Sequence, residues 1–180
     1  MSPEEIRIRS VYLFLACAQT LEQCAERLAA MVPTGSPAAK RLLDRSLKKE
    51  LGLLFRYWAT RQIWERLESS EADATHLNLA LLRLFTDAFK LPQDGSGIRY
   101  AELSTVAEEA HQFGRRLTHA LGREHPPLLE MLQGGILPWR EAVTRHTAHA
   151  LDLPLEHLTS SVKEWADRPQ DPTRPSDRVV

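Results

Sequence analysis

Cysteine is scarce in this 180-residue chain, with only Cys17 and Cys24 present. On one helix they stand about 10 Å apart along the axis, whereas a disulfide needs Cα atoms within roughly 7 Å. Both fall on an apolar face, as small buried hydrophobes, and free thiols favour a reducing compartment. Glycine is sparse too. The 8 glycines are scattered in turns and build no phosphate loop, and G-x-S-x-G and C-x-x-C are both missing. No apolar run approaches the ~20 residues that span a bilayer. The acidic start, MSPEEIRIRS, lacks the basic flank and apolar core of a signal peptide. The expectation is a cytoplasmic protein with no membrane contact. The net charge is -1, so no global field attracts nucleic acid, and any basic footprint is local.

What the chain does have is helical periodicity. Hydrophobic residues at 43% and charged residues at 26% are normal for a globular protein, and the length suits one domain with a sizeable core. The organising stretch is SPAAKRLLDRSLKKELGLLFRYWATRQIWERLESS, residues 36–70. Ser36 followed by Pro37 is a helix start. At roughly 100° per residue, Leu43, Leu47, Leu51, Leu54 and Trp58 form one stripe, with Arg41, Arg45, Lys48, Lys49 and Arg56 opposite. Glu50, Arg61 and Glu65 lie near the stripe, Arg61 and Glu65 as an i, i+4 pair at the edge of a helix interface.

Ser2-Pro3-Glu4-Glu5 is a capping box and opens a first helix reaching about Met31. Its stripe is Ile6, Leu13, Cys17, Leu21, Cys24, Leu28 and Met31. Val11, Tyr12 and Leu15 add apolar groups on other sides, which implies burial on more than one face or an interface patch. The short break at 32–35 implies an antiparallel hairpin. A third helix carries Leu77, Leu81, Leu84, Phe85 and Ala88 and ends by Leu91-Pro92. A fourth lies between about Arg99 and Leu121, with Thr105 and Glu108 as an alternative start. Shorter helices follow near 128–133, 138–151 and 154–166, then a proline-rich tail with nothing to bury. The fold class expected is all-α, an antiparallel bundle of four long helices with two or three shorter C-terminal ones. In these terms 1–122 is the four-helix core, 123–167 the short helices packed on it, and 168–180 a disordered tail.

Two constellations bear on chemistry. Glu108 to His111 has the E-x-x-H spacing of helical di-iron proteins, but Glu108 points away from the core stripe of its helix and no second E-x-x-H exists. His111, His146 and His149 are therefore only weak metal candidates. His146, beside Trp139, Ala142, Val143 and Ala150, reads better as a hydrogen-bonded core residue. Residues 146–162 loosely resemble a helix-turn-helix, with Ala148, Leu151, Leu153 and Leu158 as its apolar positions. Asp152 stands where glycine is usual, and the second helix is poor in Arg and Lys for facing DNA.

The leading reading is a non-enzymatic helical adaptor or subunit of a larger assembly, with another protein or a second copy as partner. Tyr12, Leu15, Tyr57 and Trp64 are its candidate interface residues. The second is a nucleic-acid-contacting subunit of a nucleoprotein complex, with Arg41, Arg45, Lys48, Lys49 and Arg56 on phosphates. The third is a metal-dependent helical-bundle enzyme. No catalytic residue and no cofactor is assigned.

Overall fold

The computed structural model describes residues 1–92, 100, 102–122 and 135–168. Among them the chain is all-helical: α1 (Pro3–Ala30), α2 (Pro37–Arg66), α3 (Glu71–Phe89), α4 (Val106–Leu121), α5 (Leu137–Asp152) and α6 (Leu155–Asp167). No described helix is long and apolar enough to cross a membrane. The helix expected near 128–133 lies outside the described residues, as does the tail beyond Arg168.

The helix starts follow from local chemistry. Ser2 Oγ accepts from the Glu5 N–H at 3.1 Å and Ser36 Oγ from the Ala39 N–H at 3.2 Å, with a proline in each first turn. The fourth helix starts at the later of its two candidate points. Thr105 Oγ1 accepts from the Glu108 N–H, and Glu108 Oε2 accepts from the Thr105 N–H at 2.8 Å, a complete capping box. Gly122 closes α4 at φ 67°, the left-handed conformation that costs glycine least.

Helices α1 and α2 together form the hub. α1, α3, α4 and α5 all pack on α2, and α1 in turn carries α3, α5 and α6. Core packing is thus spread over all six helices. Residues 50–56 of α2 are buried without interruption, and Trp58 and Ala59 follow.

Two expectations about surface residues are corrected by this arrangement. Tyr12, a candidate interface residue, is buried under α6, its ring 5.4 Å from that of Trp165. Phe14, on another side of α1, meets Phe85 edge-on at 5.4 Å. The several apolar sides of α1 are used within the chain, because α3 and α6 both cover it. Arg56 is the second correction. It shares a column with Arg45 and Lys49 but is only 7% exposed. The reason is length: α2 spans about 45 Å and α3 about 28 Å. A Cβ on Gly52 would stand 3.2 Å from Phe89, the last residue of α3, so α3 ends beside Gly52. Before that point Arg41, Arg45 and Lys49 are open to solvent, and Arg56, one turn beyond it, is buried.

Candidate functional site

The chemistry-bearing groups of the fold gather along the α2–α4 seam. On α4, Glu109 lies three residues after Val106 and four before Phe113, so it shares the core-facing side, and Arg116 follows two turns later. On α2, Glu50 and Trp58 stand eight residues apart. The two helices pair these groups crosswise. Arg116 Nε donates to Glu50 Oε2 at 2.6 Å, and Trp58 Nε1 donates to Glu109 Oε2 at 2.7 Å. Leu54 and Phe113, both fully buried, supply apolar side chains at the positions between these bonds on each helix.

Glu109 is fully buried, and a carboxylate there persists only with compensating charge. Arg140 of α5 brings Nε to 3.5 Å from Oε2, and Arg61 brings Nη1 to 3.9 Å from Oε1. Arg61 also donates to Glu65 at 2.9 Å, the expected i, i+4 pair, and that bond holds its pKa above the ordinary arginine value. Tyr100, fully buried, stacks on Tyr57 with centroids 5.5 Å apart. Burial first, and the nearby Glu50 carboxylate second, push its hydroxyl far above the ordinary tyrosine range. Three buried atoms of this cluster have no hydrogen-bond partner among the described residues: Glu109 Oε1, Tyr100 Oη and Arg116 Nη1.

In chemical terms the seam is a set of polar groups enclosed between helices. The Tyr100 phenol stays protonated, the Glu109 carboxylate faces two guanidinium groups, and Glu50 is tied to Arg116. Two polar crosslinks of opposite sense set the register of α2 against α4, since sliding one helix strands a buried charge.

The remaining candidates are dispersed. Arg41, Arg45 and Lys49 are exposed. Lys48 is bound to Glu22 at 3.0 Å and Asp44 at 3.3 Å. Burial works against its charge, but these carboxylates prevail and hold its pKa above the ordinary lysine value. Arg56 is buried with Nη1 unpartnered, and desolvation lowers its pKa. Of the interface candidates, Trp64 is 41% exposed, Leu15 and Tyr57 are half-buried, and Tyr12 is covered. His111 and His149 are exposed. His146 Nε2 lies 2.8 Å from Thr20 Oγ1, whose own proton goes to the Ala16 carbonyl at 3.0 Å, so the ring is the donor, as the Nε2–H tautomer. No group of three or more His, Cys, Asp or Glu side chains that could hold a metal occurs among the described residues. The helix-turn-helix candidate, α5 with α6, is clamped to α1. Arg9 Nη1 donates to the carbonyls of Ala150, Leu151 and Leu153 at 2.6, 3.1 and 3.2 Å while Glu5 holds its other nitrogens.

No known protein family, curated protein or solved structure matches this chain. Sequence reasoning passed over Glu109 in favour of Glu108, which is spent on the cap of α4. The signal was available in the helical spacing of Val106, Glu109 and Phe113, and in Trp58, whose core position demands an acceptor for the indole N–H.

Proposed function

We propose that this chain is a non-enzymatic helical adaptor, a subunit that presents helix faces to another protein. The observation that carries this is the outer flank of α3. At roughly 100° per residue, Thr75, Leu79, Leu82 and Thr86 share one side of that helix, and none is charged. Leu79 is 48% and Leu82 37% exposed. The same helix already buries Leu77, Leu81 and Phe85, so α3 is apolar on two sides. On α1, by contrast, both Tyr12 and Phe14 are covered by other helices. An uncharged flank with adjacent exposed leucines suits a partner's apolar side chains.

The acid–base groups support the same reading. Glu109, Tyr100 and His146 are each engaged in or enclosed by packing between helices, which leaves the surface as the working part. A cytoplasmic location fits the two buried free thiols. Burial pushes the Cys24 thiol up to about 12, far from the thiolate range in which cysteines react.

The test is affinity purification of the chain from its own host after gentle cross-linking, comparing wild type, L79D/L82D and E109Q. An adaptor brings down a defined protein that the leucine variant loses and E109Q keeps. Loss on E109Q with retention on L79D/L82D would overturn the assignment and move function to the buried seam.

A further inference from the structure

The N-terminal part of α2 projects past the end of α3. Over residues 37–49 it carries five cations, Lys40, Arg41, Arg45, Lys48 and Lys49, against Asp44 alone, a local +4 in a chain of net charge -1. Lys48 is taken by Glu22 and Asp44. The other four make no ion pair with any described residue. Elsewhere on α2, Arg61 and Arg66 are both paired with carboxylates. On the surface of this helix, the overhang is thus the stretch whose positive charge has fewest carboxylates to answer it among the described residues.

Its layout is specific. Arg41, Arg45 and Lys49 descend one side at four-residue spacing, about 6 Å of rise per step. Ala38 and Leu42 sit among them on the same side, and Leu42 is 50% exposed. The column runs on to Arg56, buried and without an anionic partner among the described residues. A charge left uncompensated in a low-dielectric interior adds to the positive potential over the neighbouring surface.

We infer that the overhanging face of α2 docks an acidic amphipathic segment of a partner protein, its carboxylates on Arg41, Arg45 and Lys49 and an apolar side chain on Leu42. This rests on the adaptor role and names the chemistry of one partner. A nucleic-acid backbone fits the face less well. Residues 37–49 contain no aromatic side chain on which a base could stack, and a phosphate chain gains nothing from an exposed leucine beside its contacts. Carboxylates alternating with apolar groups satisfy both kinds of side chain, with the charges also steering encounter.

The experiment is fluorescence anisotropy on the full chain with three probes: a labelled peptide with Glu and Leu at helical spacing, a scrambled peptide of equal composition, and a short DNA duplex. Wild type, R45E/K49E and L42S are compared, each checked by circular dichroism for an unchanged fold. The patterned peptide is expected to bind more tightly than the scrambled one. R45E/K49E should weaken it by about tenfold or more at low salt, and L42S by several-fold. No binding of the patterned peptide, or equal binding by R45E/K49E, overturns the assignment. So does DNA binding that exceeds peptide binding and ignores L42S. A host protein that co-purifies equally with wild type and R45E/K49E removes this surface while leaving the adaptor role intact; a chain with no partner at all removes that role instead.

Discussion

The Glu50–Arg116 pair gives the sharpest test of how the seam holds the fold. The bond is 2.6 Å long, and the two side chains are only 8% and 13% exposed. Replacing Arg116 with Met leaves the Glu50 carboxylate enclosed with no cation, and removing one member of a buried pair typically costs about 3–5 kcal/mol. Glu50→Leu strands the guanidinium of Arg116 in the same way. The double variant E50L/R116M strands neither group and fills similar volume with apolar atoms, so it should recover most of the loss and end close to wild type. Urea unfolding at neutral pH, followed by far-UV circular dichroism, measures all four corners of this cycle, with constant m as the check that the unfolding transition is comparable. A cost under about 1 kcal/mol for either single variant, or losses that simply add in the double, would refute a dry, register-setting pair.

Three further outcomes follow from other contacts. Arg56→Met removes a buried cation that has no carboxylate partner among the described residues and should raise stability by about 1–2 kcal/mol while weakening the acidic peptide; destabilisation in urea would show that Arg56 is satisfied in the fold. Arg9→Met releases the three carbonyls at the end of α5 and should cost about 1–3 kcal/mol, with faster amide exchange confined at first to the α5–α6 corner; unchanged exchange there contradicts the clamp. His146 is depressed by burial, with Arg145 and His149 adding to it, so the unfolded chain takes up the proton first. Stability is then complete above the ordinary histidine value of 6.5 and falls as pH drops towards the folded-state value. His146→Gln, which keeps an N–H for Thr20, should flatten that slope. Glu5, Asp73 and Glu108 are held below their ordinary values and act only at lower pH. Equal slopes in melting temperature for His146→Gln and wild type would contradict the assignment.

What could be read from the sequence was local. Ser2, Ser36 and Thr105 announce their helices because the capping bond closes within three residues. The apolar stripes work for a similar reason, since period and burial coincide along one helix. Arg56 shows where this fails. Its place on the wheel is right, but its burial depends on how far α3 reaches along α2, which no pattern within α2 records. Tyr12 fails likewise, covered by Trp165 from the far end of the chain. Glu50 was visible as a charge near the core, yet its partner Arg116 lies 66 residues away and is fixed only by the α2–α4 register. Glu109 could have been found, because its spacing from Val106 and Phe113 puts it on the core side while the adjacent Glu108 points outward.

The role as an adaptor is tested most directly by native mass spectrometry of the untagged chain isolated from its own host. An adaptor appears as a stoichiometric complex with a second protein; dissociation when salt is raised assigns that complex to the basic face of α2, and persistence assigns it to the uncharged flank of α3. A bare monomer carrying a small ligand or a metal-sized adduct would contradict the adaptor role and return attention to Glu109, Tyr100 and the histidines.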